Sequence, residues 1–102
     1  MSTKSNLSSP PGHWLIGFKG MRSRDSMLKA IARTLEFPPH FGMNLDALYD
    51  CLTDLPLQDG GAYSIVLDDL ARSPAGDAVH AVFTDAVIFW RERGVSLKLT
   101  RE

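Results

Sequence analysis

The chain has 102 residues, 44% hydrophobic and 23% charged, with a formal net charge of −1, which suits one globular domain with a modest core and no large internal ligand cavity. Its single Cys excludes an internal disulfide framework, four Cys/His ligands in zinc spacing cannot be assembled, and no apolar run reaches the roughly 18 residues of a membrane span. The near-zero charge conceals an asymmetry: Thr34 to Ala71 holds no Lys or Arg but seven acidic residues, Glu36, Asp46, Asp50, Asp54, Asp59, Asp68 and Asp69, while the remainder carries +6.

Residues 1–12, MSTKSNLSSPPG, lack an apolar centre, so a flexible tail is expected there rather than a secretory signal, with a domain over 13–102 and a cytoplasmic location. His13 to Lys19 is short and apolar and predicts a buried strand. Ser23 or Asp25 is placed to cap a helix whose stripe is Met27, Leu28, Ile31 and Leu35. Pro38-Pro39 ends that helix and begins a loop through Gly42. Asn44 caps the next helix, expected to run to about Leu55 before Pro56. Tyr63 to Leu67 follows an Asp-Gly-Gly turn and reads as a second strand. Asp69 to Arg72 is expected to form a short helical turn, and Asp77 to cap a long helix that Gly94 stops near Arg93. Val95 to Thr100 makes the third strand. Strands joined through helices favour a parallel sheet with right-handed crossovers, so the fold class is α/β.

The second helix works against its own stability. At about 100° per residue, Leu45, Leu48, Leu52 and Leu55 share one arc, with Cys51 at its edge and Tyr49 at the boundary of the other side. Asp46, Asp50, Thr53 and Asp54 fall opposite. Asp50 and Asp54 each follow a like charge by four residues, and Asp54 lies near the negative end of the helix dipole. Asp is also a poor helix former. Folding does not ask for this pattern, which marks a functional surface for a basic partner. Nucleic acid would demand the opposite sign.

The preceding loop places Phe37, His40, Phe41 and Met43 beside that acidic face. The two Phe are expected in the core, and His40 and Met43 at the surface as contact residues. Catalytic readings fare poorly. Asp46 with Asp50 lacks a glycosidase-like cleft, Cys51 beside the core stripe suits an inert thiol better than a partner of His40, and there is no P-loop, GxGxxG or GxSxG. His13 opens a strand, His80 lies on the last helix, and no His pair has metal spacing. We expect no enzyme, metal or cofactor.

The run Leu35 to Thr53, LEFPPHFGMNLDALYDCLT, resembles the barstar family of intracellular ribonuclease inhibitors, whose loop-plus-helix signature it follows from Phe41 to Leu52. The resemblance implies a two-layer fold with a three-stranded parallel sheet packed against helices. It implies an inhibitor whose loop and second helix plug the active site of a small basic ribonuclease, as a monomer forming a 1:1 complex. On that basis Asp46 and Asp50 match the inhibitory aspartates, Asn44 the residue opening the helix, and Thr53 a contact residue. Gly42 matches a loop glycine that lets the backbone approach the enzyme, Tyr49 stands where Trp is frequent, and Cys51 matches a family cysteine. His40 stands where the family often has Tyr, Met43 replaces an acidic residue of the best-known member, and Phe89 and Arg93 stand where that member has Glu when Gly94 is aligned. Two alternatives stay open: immunity against a different nuclease toxin, or an adaptor binding a basic non-nuclease protein.

Overall fold

A computed structural model describes residues 12–102; the tail expected over residues 1–11 lies outside them. Gly12, placed with the tail above, is buried, and its carbonyl accepts from the Ser64 N–H at 2.7 Å. The described elements are β1 (His13–Gly17), α1 (Arg24–Leu35), α2 (Leu45–Leu52), β2 (Ala62–Asp68), α3 (Pro74–Arg91) and β3 (Ser96–Arg101). The strands form one parallel sheet in the order β1-β2-β3, as the helical connections require. Register is set by alternation: Ile16 pairs with Leu67, and Ile65 with Leu99. Along β1, Ile16 and then Phe18 are buried, whereas His13, Leu15 and Gly17 are exposed on the other face. The helices form the second layer. α1 packs on β1 and α3 on β3, while α2 rests on α3.

The core gathers Ile16, Phe18, Met27, Leu28, Ile31, Leu48, Leu52, Ile65, Leu67, Val79 and Phe83, each essentially inaccessible. Fully burying a side chain of this kind contributes roughly 1.5–3 kcal/mol, so the stripes of α1 and α2 are fixed against it. Phe37 and Phe41 are half-buried rather than fully buried, packed on the core edge and on each other with centroids 5.1 Å apart.

Several local expectations are narrowed or corrected. Of the two caps expected for α1, Ser23 is the one used, its hydroxyl accepting from the Ser26 N–H at 3.1 Å. Ser73 rather than Asp77 caps α3, with Pro74 in the first turn. Pro at that position gives up an N–H that has no helical partner. Asp77 lies inside the first turn and pairs with Arg101 at 2.9 Å. No helical turn forms over 69–72, because Asp69 adopts a left-handed backbone (φ 63°) and its N–H donates to the Glu102 carbonyl at 2.9 Å.

α2 ends at Leu52, three residues before the expected end. The Thr53 hydroxyl donates back to the Tyr49 carbonyl at 2.9 Å and the Asp50 carbonyl at 3.2 Å, and Pro56 disfavours a helical backbone at Leu55. Leu55 is buried all the same, outside the helix. The strands shift by a residue or two: β1 stops at Gly17, β2 gains Ala62 and Asp68, and β3 runs from Ser96 to Arg101.

Candidate functional site

α2 presents two unlike faces. Leu48 and Leu52 are buried, whereas Asp46 and Asp50 are exposed and Tyr49 is half-buried between them. The start of the helix is fixed to its loop by one residue. The Asn44 Oδ1 accepts from the Ala47 N–H at 2.7 Å, and its Nδ2 donates to the Gly42 carbonyl at 3.1 Å. Such caps contribute about 1 kcal/mol. Gly42 is exposed, and a Cβ there would stand 3.3 Å from Asn44 Nδ2 and 3.4 Å from the Ala47 Cβ. The absent side chain therefore lets the loop close tightly on the cap.

The far end of α2 is fixed by α3. The buried Trp90 Nε1–H donates to the Leu52 carbonyl at 3.0 Å, satisfying one of the carbonyls that a helix end leaves open. Tyr49 meets the Phe89 ring edge-on at 6.2 Å, and Phe89 meets Trp90 at 5.2 Å. Arg93 caps this ladder with its guanidinium carbon 3.7 Å from the Phe89 centroid, and its Nη1 donates to the Phe89 carbonyl at 3.1 Å. The acidic helix is thus held rigidly at both ends, which limits the ordering cost of any docking on it.

Two grooves flank α2. One, of about 440 Å³, lies between the loop and the helix and includes Glu36, Phe37, His40, Asp50, Thr53 and Asp54. The other, of about 350 Å³, lies between α2 and α3 and is lined by Leu45, Asp46, Tyr49, Asp50, Val82 and Asp85. Asp50 alone lines both, and neither lining contains Lys or Arg. Each groove therefore gathers three carboxylates with no cation among its walls. Among the described residues the one ion pair is Arg101–Asp77, outside both grooves.

The expected site residues are only partly brought together. His40, Asp50 and Thr53 share the first groove, and Asp46, Tyr49 and Asp50 the second. The Thr53 hydroxyl is engaged by helix carbonyls. Met43 corrects an expectation: it is half-buried against the core, in a left-handed backbone (φ 52°), and lines a separate hollow with Phe37 and Phe41. Its apolar thioether packs on the core edge and is only partly exposed. Cys51 is half-buried, and burial pushes its thiol pKa up, reinforced by the nearby Asp50 and Asp54 charges. It stays a protonated thiol at neutral pH and makes a poor nucleophile. The His80 imidazole is held below its usual pKa, first by burial and then by Arg101, so it is neutral there as well. Among the described residues no group of three or more His, Cys, Asp or Glu is placed to hold a metal ion.

Sequence reasoning missed Asp85 and the placing of Phe89 and Arg93 beside Tyr49. One signal was available: Val82, Asp85, Phe89 and Arg93 follow one another at helical spacing and share a stripe. Which neighbour that stripe meets was not readable.

The family model described as Barstar (barnase inhibitor) matches residues 13–102, nearly the whole described chain. No curated protein matches it.

Proposed function

The chain belongs to the barstar family, whose members are inhibitors of barnase-type ribonucleases or related immunity proteins rather than enzymes, and from that premise we propose that it closes the active site of a small basic ribonuclease with the outward face of α2 and the loop before it. One observation carries the reading. Asp50 stands where two carboxylate-lined grooves meet, on a helix fixed at both ends. A ribonuclease must hold phosphate with cationic side chains. A rigid carboxylate offered at the same place takes those cations as charge-assisted partners and excludes RNA. Asn44 and Gly42 set the approach of the loop, Tyr49 and His40 flank Asp50, Asp46 adds a second charge, and Thr53 and Met43 lie at the margins. The acidic stretch from Thr34 to Ala71 steers a basic partner toward this face. The mode of action is occlusion by a monomer in a 1:1 complex in the cytoplasm, with no metal or cofactor. The rival reading, immunity against another type of nuclease, draws on Arg93, a cation at the rim of an otherwise acidic face.

The test is a titration against a panel of small basic ribonucleases, barnase among them, with RNA cleavage as the readout. Cleavage by the cognate enzyme should fall to background at one equivalent, and a chelator should change nothing. The chain alone should leave RNA intact. Cleavage by the chain itself, or inhibition lost to the chelator, would overturn the proposal.

A further inference from the structure

We infer that the docking face has two signs, and that Arg93 selects for a nuclease with a carboxylate on its rim and against one whose rim is uniformly basic. The inference rests on the inhibitor reading and adds a determinant of partner choice. The α3 stripe begins beside α2, where Val82 and Asp85 share a groove with Asp46, Tyr49 and Asp50. It continues to Phe89, edge-on to Tyr49, and Arg93, just past the end of α3, stacks on Phe89. Stacking and the bond to the Phe89 carbonyl hold the guanidinium in place, so little rotamer freedom is lost when a carboxylate meets it. Arg93 makes no ion pair among the described residues, and its charge is open to a partner. Arg93, two residues beyond the end of α3, lines neither acidic groove. A partner therefore meets the guanidinium beside the acidic walls rather than among them. An ordinary ribonuclease tracks the RNA backbone with basic groups around its active site. Such a rim is repelled by Arg93 even where the centre is attracted by Asp50.

Barnase is the probe, with binding measured calorimetrically and association followed by stopped flow at low and physiological salt. Wild-type chain, Arg93→Ala, Arg93→Glu, and Asp50→Ala in the wild-type and Arg93→Glu backgrounds are compared, after thermal melts confirm folding. Arg93→Glu should bind at least tenfold more tightly than wild type and associate faster at low salt, with Arg93→Ala between them. Asp50→Ala should lose affinity in both backgrounds. Arg93→Glu within twofold of wild type, while Asp50→Ala still weakens binding, sinks the two-signed face and leaves the inhibitor reading standing. Failure of both wild type and Arg93→Glu to bind barnase also overturns this inference, whereas the inhibitor reading is judged on the wider panel. An Asp50→Ala variant as tight as its parent counts against the inhibitor reading itself.

Discussion

Replacing Asp50 by alanine is expected to cost at least ~2 kcal/mol of binding to the cognate ribonuclease while leaving the fold intact or slightly steadier. The bound is the generic threshold for an interface hot spot, a generalisation for which barnase–barstar is itself one of the reference pairs. The reason for placing the hot spot here is geometric. Asp50 is the one residue common to both grooves, so a partner that fills them surrounds and desolvates it. Its removal would leave the partner's cations buried and unpaired, which is where most of such a loss arises. Asp46 lines one groove only and should cost less. Asp59 carries the same charge away from both grooves, so Asp59→Ala should cost about 0–1 kcal/mol and act mainly on the association rate. The folded state loses nothing with Asp50: its carboxylate makes no hydrogen bond among the described residues, and Asp46 and Asp54 are like charges one turn away on either side. Calorimetric binding and thermal unfolding of the three variants decide it. Equal binding losses would mean that the face works only as diffuse charge, and a destabilised Asp50→Ala would make that residue structural.

The largest loss of stability from a single methyl is expected at Gly76. This residue is buried in the first turn of α3, its N–H donating to the Ser73 hydroxyl at 3.2 Å. A Cβ built there would lie against the Ala71 backbone carbonyl oxygen, far inside van der Waals contact. A backbone carbonyl has no rotamer to escape into, and the segment that would have to move is anchored by the buried Leu70. Gly76→Ala should therefore cost about 3 kcal/mol, the upper end of the usual overpacking range, although alanine is the better helix former. The midpoint of urea unfolding measures it. A midpoint equal to wild type would show that the 70–73 segment yields freely.

How much of this was legible depended on whether the signal was local. The strands and the stripes of α1 and α2 were readable because period-two and period-3.6 burial is written in the positions of Ile16, Met27, Leu28, Leu48 and Leu52. The cap of α3 was misplaced at Asp77, although Ser73-Pro74 carries the stronger local chemistry. The true partner of Asp77, Arg101, lies 24 residues away and leaves no trace in a short window. The end of α2 depended on a hydroxyl turning back to the helix carbonyls. The left-handed backbone at Met43 has no signature in a residue that rarely adopts it. The acidic face of α2 was readable from charge spacing alone. Its second wall was not, because Asp85, Phe89 and Arg93 become part of the face only when α3 packs against α2, and that packing is tertiary.

Competition for the ribonuclease active site tests most directly whether the acidic face stands in for RNA phosphate. The complex with the cognate ribonuclease is titrated at rising concentrations of a nucleoside 3′-monophosphate that occupies the enzyme's phosphate site. The apparent dissociation constant of the chain should rise linearly with nucleotide concentration, with no ternary complex. A dissociation constant unmoved by saturating nucleotide would contradict it, because the chain would then be bound somewhere other than the phosphate site.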